Sequence, residues 1–271
     1  MPIAFQNAEG LKPGLVIYLT VGDQGLKTTR DVALAALDAG ADVLELGVPF
    51  SDPVADGPVI QRASQRALAA GTRLEDVLAL AGELRRLRPR CGLVIFSYLN
   101  PLLRYGMERF CERAEECGVD GVLATDLPVE EAGPHLELLR RRRLKPIFLA
   151  APTSTDARLR AIAEVSEGFV YAISRTAITG VRRELASDAR GLVERLRRVT
   201  GLPIAVGFGV SLPEHVAALA EFADAAVIGS AIVSLIESST PESAPVCVAE
   251  FLRGLRTLPH PAGTACGSGR P

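Results

Sequence analysis

Eight short apolar runs, each followed by a stretch with helical periodicity, constrain the fold of this chain more than any other feature. The runs are 14–20, 41–47, 92–98, 121–126, 146–151, 168–174, 203–209 and 225–230. They are mostly continuous apolar segments rich in β-branched residues, which is typical of strands that are covered on both faces. Strands and helices that alternate eight times predict a parallel (β/α)8 TIM barrel. An open doubly wound sheet is the alternative, but no G-x-G-x-x-G motif follows the first run.

The spacing of the runs predicts how the chain is divided. The sequence has 271 residues, and about 250 residues is typical of one such barrel. The second and third runs start roughly 50 residues apart, so we expect an extended loop and helix insertion after strand two, with a helix near 60–70. We expect one catalytic domain over residues 1–258 and a disordered tail over the Gly- and Pro-rich segment 259–271.

Charge and hydropathy exclude several classes of protein. The 30 basic and 32 acidic residues give a net charge of −2, which disfavours a nucleic-acid-binding surface. No apolar run approaches the roughly 20 residues that a membrane span needs. The first residues lack the basic region and apolar core of a signal peptide. We therefore expect a soluble, cytoplasmic protein.

The residues at the strand ends limit the chemistry, because the active site of such a barrel lies at the carboxyl ends of its strands. The three histidines fall on predicted helices or in the tail, and the five cysteines show no paired spacing, so we expect no metal site. A Schiff-base aldolase needs a lysine at the catalytic face. The three lysines are elsewhere: Lys12, Lys27 and Lys145. Once metal and Schiff-base catalysis are excluded, acid–base catalysis by carboxylates is the chemistry that the strand ends can support.

Glu45 is the first candidate for that chemistry, since it interrupts the apolar strand Val43–Leu46. An apolar pocket would raise its pKa, so that it can donate and then accept a proton near neutrality. Asp56, on the predicted insertion, would supply a second carboxylate on a loop stiffened by prolines. Alternatively, Glu45 points outward or pairs with an arginine, and the spacing alone leaves both interpretations open.

Small residues after strands seven and eight indicate an anion site. Gly209 follows strand seven, and Gly229 with Ser230 follows strand eight. Backbone N–H groups at such turns, next to a helix N-terminus, bind phosphate in many barrels. The alternative is that the glycines only permit tight turns.

A series of motifs resembles the alpha subunit family of tryptophan synthase from about Tyr18 to Gly254. The most specific motif is LELGVPFSDPVADGPVIQRASQRAL. The others, in order and with matching spacing, are YLNP, GVLATDLPVEE, APTSTDARL, GFVYAISRTAITG, GFGVS and IGSAIV. The resemblance implies a lyase of tryptophan biosynthesis that cleaves indole-3-glycerol phosphate to indole and glyceraldehyde 3-phosphate.

The same resemblance implies a role for individual residues. Glu45 would protonate indole C3 and then help to deprotonate the glycerol hydroxyl, and Asp56 would hold the indole N–H. The substrate-binding positions carried over from the family are Tyr18, Tyr98, Leu123, Tyr171, Thr179, Gly180, Gly209, Gly229 and Ser230.

The resemblance also implies a partner, a beta subunit that carries pyridoxal phosphate, in an alpha2-beta2 tetramer. No cofactor is expected in this chain, and Asp52 and Pro53 match part of the partner-facing surface. Three other functions stay open. They are a stand-alone indole-3-glycerol phosphate lyase of specialised metabolism, a weakly active regulatory paralogue that binds the phosphate ligand, and another phosphosugar enzyme such as an isomerase.

Three positions depart from the family pattern. The resemblance implies that the loop after strand six is a mobile lid; Ala177, on this loop, stands where glycine is usual, which puts the mobility of the lid in doubt. Tyr18 stands where phenylalanine is usual and adds a hydroxyl to the indole pocket. Gln24 replaces a usual proline.

Overall fold

The computed structural model of the chain describes residues 3, 5, 13–173, 182–207 and 209–256, without the side chains of 182–187. Its strands are β1 (Gly14–Thr20), β2 (Val43–Gly47), β3 (Gly92–Ser97), β4 (Gly121–Ala124), β5 (Lys145–Pro146), β6 (Leu149–Ala150), β7 (Val170–Ile173), β8 (Ile204–Gly207) and β9 (Ala225–Ile228). Its helices are α1 (Leu26–Asp38), α2 (Pro58–Ala69), α3 (Leu74–Leu87), α4 (Leu99–Tyr105), α5 (Met107–Glu116), α6 (Gly133–Arg141), α7 (Asp156–Val165), α8 (Arg182–Arg197), α9 (Pro213–Ala220), α10 (Ser230–Ser238) and α11 (Ala244–Arg256).

The strands form one parallel sheet in the order β5-β4-β3-β2-β1-β9-β8-β7-β6. The two ends of this order, β5 and β6, are consecutive in the chain and are separated only by Ile147 and Phe148. The sheet therefore curls round until its ends meet, and helices surround it. The predicted TIM-barrel class is confirmed.

The fifth predicted strand, 146–151, is not one continuous strand. β5 pairs with β4, whereas β6 pairs with β7 on the other side. The two residues between them continue the backbone hydrogen bonds to the neighbouring strands. Ile147 N donates to Val122 O on β4 at 2.9 Å, and Tyr171 N on β7 donates to Phe148 O at 3.1 Å. The break follows from the stagger between neighbouring strands that barrel closure requires.

Alternate residues of the strands fill the interior of the barrel. Val16 lies opposite Val43, and Tyr18 lies opposite Glu45, so side chains of the same parity share a face. One cluster of buried apolar side chains lies inside the barrel, and its members are Ile3, Phe5, Val16, Val43, Val94, Leu123, Ile147, Phe169, Ala205, Ala225 and Val227. A larger apolar cluster lies between the outer face of the sheet and the helices. Tyr18 and Glu45 face the same interior two residues after Val16 and Val43, towards the carboxyl ends of β1 and β2.

Residues 48–57, between β2 and α2, contain no helix or strand, and we call this segment the β2–α2 loop. Two helices, α2 and α3, then precede β3. The predicted helix near 60–70 corresponds to α2. The interpretation of this region as an insertion stays a prediction, as does the division into a domain and a tail, because 259–271 lies outside the described residues.

The turn from β1 to α1 explains one departure from the family pattern. Gln24 has a φ of 56°, between Gly22 at 89° and Gly25 at 99°. Proline holds φ near −65° and cannot adopt this conformation. The Gln24 side chain instead donates from Nε2 to Ile236 O at 2.6 Å and to Ser239 O at 3.0 Å, at the end of α10.

Within the described part of the chain, no helix has the length and apolarity needed to cross a membrane.

Candidate active site

Glu45 lies at the centre of β2 with its side chain inside the barrel. Its neighbours across the sheet are Tyr18 on β1 and Val94 on β3. The side chain is fully buried, and among the described residues neither carboxyl oxygen has a hydrogen-bond partner. Burial in this environment raises the pKa of Glu45 to about 8. Glu45 therefore does not point outward, and no arginine among the described residues pairs with it. With a pKa of about 8, its carboxyl group is mostly protonated at neutral pH.

Two tyrosines share the interior with Glu45. Burial raises the pKa of both Tyr18 and Tyr171, and the nearby charges of Glu45 and Asp56 add to the effect. The Tyr18 hydroxyl accepts a hydrogen bond from Thr20 Oγ1 at 3.3 Å. The hydroxyl that distinguishes Tyr18 from phenylalanine thus has a hydrogen-bond partner inside the barrel.

Two glycines make room for these tyrosines. A Cβ at Gly47 would lie 2.4 Å from the Tyr18 hydroxyl oxygen, and a Cβ at Gly207 would lie 2.7 Å from the Tyr171 hydroxyl oxygen. No side chain larger than hydrogen fits at either position without displacing a tyrosine. Sequence analysis missed both glycines, because nothing in the local pattern indicates that an aromatic ring from another strand crosses them.

The β2–α2 loop brings Asp56 to the carboxyl ends of the strands. Asp56 N donates to Pro53 O at 3.0 Å, which closes a turn. Gln61 Nε2, on α2, donates to the Asp56 carbonyl at 2.9 Å. Ala55 N donates to the Tyr98 hydroxyl at 2.8 Å. The loop is therefore fixed from both sides, and Gln61 is a site residue that sequence analysis missed, although it lies only five residues after Asp56 on the next helix.

The two carboxylates differ in protonation. Burial raises the pKa of Asp56 to about 6, and a hydrogen bond with the Tyr98 side chain opposes that rise. Asp56 is thus mostly ionised at neutral pH, whereas Glu45 is mostly protonated. A pair of acids whose pKa values are pushed apart can supply a proton donor and a stabilising anion together.

The barrel interior beside Tyr18 contains apolar side chains. Leu123 on β4 is fully buried and lies opposite Phe96 on β3. The Tyr18 ring packs edge-to-face against Phe96, with ring centroids 5.1 Å apart. A flat aromatic ligand would contact these side chains in an environment that contains few competing polar groups.

The predicted phosphate-binding positions lie where β8 and β9 end. Gly209 has a φ of 78°, a conformation that favours glycine. Gly229 precedes α10, whose first residue is Ser230, and no side chain among the described residues caps this helix start. The first N–H groups of α10 are therefore available to an anion, with favourable helix-dipole charge. Thr179 and Gly180, and also Ala177, lie outside the described residues.

The predicted partner-facing residues lie on the outside of the β2–α2 loop. Asp52 is exposed and Pro53 is half-buried. Val54, the next residue, has 86% of its surface exposed. An apolar side chain this exposed, beside the catalytic candidate Asp56, is compatible with a contact to another protein.

No group of three or more metal-ligating side chains is present among the residues that the structure describes.

The sequence of the chain matches one family model and many characterised relatives. The model of the tryptophan synthase alpha chain matches residues 5–257. The tryptophan synthase alpha chain of Solibacter usitatus is 46% identical over 246 residues, which is 90% of this chain and 92% of that one. The protein of the same name from Burkholderia lata is 43% identical over 256 residues, or 94% of each chain.

Solved structures resemble the fold closely. A chain of the tryptophan synthase complex from Pyrococcus furiosus superposes with a TM-score of 0.84 at 38% identity, covering 93% of this chain and 99% of that one. A chain of the ligand-free tryptophan synthase from M. tuberculosis gives a TM-score of 0.80 at 35% identity, covering 90% and 93%.

Proposed function

The chain belongs to the tryptophan synthase alpha chain family, and from that premise we propose that Glu45 and Asp56 are its catalytic pair. The protein is a carbon–carbon lyase of tryptophan biosynthesis that cleaves indole-3-glycerol phosphate to indole and glyceraldehyde 3-phosphate. The observation that carries the assignment is the fully buried, unpaired carboxyl group of Glu45 among the described residues inside the barrel.

The reaction needs a proton at indole C3 and a base for the glycerol hydroxyl. Protonated Glu45 donates to C3, and the resulting carboxylate accepts the hydroxyl proton as the C–C bond breaks. Asp56 accepts a hydrogen bond from the indole N–H, and its negative charge stabilises the positive charge that develops on the ring. The pKa values of about 8 and about 6 support this division of roles.

The remaining contacts bind and orient the substrate. Tyr18, Tyr98, Leu123 and Tyr171 form the indole pocket in this proposal. Gly209, Gly229 and Ser230 bind the phosphate, together with Thr179 and Gly180 from the family pattern. The start of α10, which no side chain among the described residues caps, supports the phosphate assignment.

We assign no cofactor to this chain and propose that it acts with a pyridoxal-phosphate-containing beta subunit in an alpha2-beta2 tetramer. Asp52 and Pro53 would contact that subunit, and the exposed Val54 beside them supports an interface. The cytoplasmic location inferred from the sequence stays a proposal.

The test is indole release from indole-3-glycerol phosphate, with and without a beta subunit. We expect Glu45→Gln and Asp56→Asn to lower kcat at least about 100-fold, a typical contribution of a positioned acid or base, with little change in substrate affinity. Glu108→Gln, at an exposed helix position, is the control. Equal losses of binding and turnover in Glu45→Gln would show that Glu45 is structural.

The same assay separates the alternatives. Stimulation by the beta subunit supports the subunit role, and rapid turnover without it supports a stand-alone lyase. Phosphate-ligand binding with no turnover in either case would leave the regulatory paralogue and another phosphosugar enzyme such as an isomerase.

A further inference from the structure

Helices α2 and α10 meet over the side chain of Tyr18. Ala63 on α2 and Val233 on α10 are fully buried, and both pack with Tyr18 in one apolar cluster. Apolar contacts are non-directional. These side chains hold the two helices together, but they do not by themselves determine how far one helix is shifted along the other.

Directional contacts are made one turn further along both helices, by Arg66. Its Nε and Nη2 donate to the two carboxyl oxygens of Asp23 at 2.7 and 3.0 Å, and its Nη1 donates to Glu237 Oε1 at 2.7 Å. The Asp23 side chain is only 2% exposed. One planar guanidinium therefore joins the β1–α1 turn, α2 and the last turn of α10.

Each of the two helices leads to one half of the active site. α2 begins two residues after Asp56, and its Gln61 holds the Asp56 carbonyl. α10 begins at Ser230, at the predicted phosphate site. The distance between the indole-binding carboxylate and the phosphate-binding turn thus depends on the relation between α2 and α10.

We propose that Arg66 is a positioning residue, resting on the function proposed above. By joining α2 to α10 it sets the span between Asp56 and the phosphate-binding turn to the length of the intact substrate. Its effect is on the simultaneous binding of both ends of one molecule, not on the affinity for either end alone.

Arg62 supplies an internal comparison. It also bonds Glu237, from Nε at 2.8 Å and Nη2 at 2.7 Å, but its side chain is 49% exposed. Exposed ion pairs contribute little to stability. No contact from Arg62 to the β1–α1 turn is present among the described residues, so Arg62→Met is the matched control for Arg66→Met.

The experiment compares separate fragments with a joined ligand. The fragments are indole and glycerol 3-phosphate, and the joined ligand is indole linked at C3 to a phosphate by a saturated three-carbon chain. In Arg66→Met we expect the Kd of either fragment to change by less than about threefold. The Kd of the joined ligand should rise about 10-fold or more, and kcat/KM should fall by a similar factor. Arg62→Met should bind all three ligands like the wild type.

Loss of Arg66 leaves the buried Asp23 carboxylate without its cation, which lowers stability. Glu237→Ala removes the links from both Arg66 and Arg62 to α10, while Arg66 still pairs with Asp23. Compared with Arg62→Met, which removes the Arg62 link alone, this variant gives the decisive result if Arg66→Met does not fold. We expect it to weaken the joined ligand selectively, as Arg66→Met does.

Three results would overturn the proposal: unchanged affinity of Glu237→Ala for the joined ligand, equal weakening of fragments and joined ligand, or the same loss in Arg62→Met. Failure of the proposed function is a different result, since the wild-type protein would then release no indole.

Discussion

Glu45 and Asp56 carry the same ionisable group in different surroundings. Glu45 lies in a closed apolar interior where, among the described residues, nothing donates to it. Asp56 lies at the carboxyl ends of the strands, and its side chain has a hydrogen bond with the side chain of Tyr98. Because a buried carboxyl without donors resists ionisation, the pKa of Glu45 rises more than that of Asp56. The difference in environment alone makes one group an acid and the other an anion.

The pH dependence of kcat/KM follows from these two groups. Asp56 must be ionised, so activity should fall as pH drops below about 6. Glu45 must be protonated, so activity should fall as pH rises above about 8. We expect a bell-shaped profile with these limbs, measured by indole release between pH 5 and 9.5. Constant activity through pH 9 would contradict the role of Glu45 as the initial acid.

The variant Tyr98→Phe tests whether the Tyr98 hydroxyl lowers the pKa of Asp56. The hydroxyl lowers the Asp56 pKa and accepts from Ala55 N at 2.8 Å. Its removal should shift the acid limb of the profile to higher pH and lower kcat by about 10-fold, as expected for one lost hydrogen bond to a charged group. Tyr105→Phe is the control, since the Tyr105 hydroxyl donates a hydrogen bond to Glu75 on α3. An unmoved acid limb would show that Tyr98 does not act on Asp56.

At the scale of elements, the strands contribute glycines as well as side chains, and these glycines leave room for tyrosines of neighbouring strands. β2 places Gly47 under Tyr18, and β8 places Gly207 under Tyr171. Neither glycine has the positive φ that would require it for backbone reasons. The requirement arises because rings from neighbouring strands occupy the volume that a Cβ would fill.

Gly207→Ala should therefore damage the site. The new Cβ would lie 2.7 Å from the Tyr171 hydroxyl oxygen, and an overpacked core costs about 1–3 kcal/mol. We expect a lower Tm by thermal unfolding and a kcat/KM reduced about 10-fold or more, because a small misplacement of site groups is costly.

Gly191→Ala is the matched control for this change. Nothing lies within 4 Å of a Cβ there, and the residue is inside α8. This substitution should stabilise the protein by about 0.5–1 kcal/mol. Adding Tyr171→Phe to Gly207→Ala should recover part of the lost stability, and a Tm that stays unchanged in Gly207→Ala would refute the steric argument.

At the scale of the whole molecule, the last described helix holds the two ends of the barrel chain together. α11 packs against α1. Its Arg256 lies 3.8 Å from the buried Asp42 carboxylate and donates to Gly40 O at 3.1 Å and Pro13 O at 3.4 Å. These contacts are at the amino ends of β1 and β2, opposite the active site. They stabilise the closed barrel without touching its chemistry.

Arg256→Met should therefore separate stability from activity. Removing the charge that faces Asp42 should lower the free energy of unfolding by about 1–3 kcal/mol, and about 2–4 °C of Tm should be lost for each kcal/mol. Indole release at 25 °C should stay within about twofold of the wild type. Arg253→Met, at an exposed position of the same helix, should change neither quantity. A large loss of turnover in folded Arg256→Met would show that contacts at the amino ends of the strands affect catalysis at their carboxyl ends.

The sequence by itself determined the barrel and its carboxylates. Local hydrophobic runs specify strands, and the boundaries of β1, Gly14–Thr20, agree with the prediction. The position of Glu45 in an apolar strand, read with the expected barrel, identified it as the candidate acid, although the spacing left open whether its side chain faces inward. Both inferences depend on near neighbours in the chain, whose periodicity is visible without a structure.

Only the tertiary structure decided the contacts between distant residues. The split of the fifth strand reflects the stagger of its two neighbours, and Gly207 matters because of Tyr171 on the adjacent strand. Arg66 meets Glu237 across 171 positions of the chain. Contacts of this kind depend on the register and closure of the sheet, which no local pattern encodes.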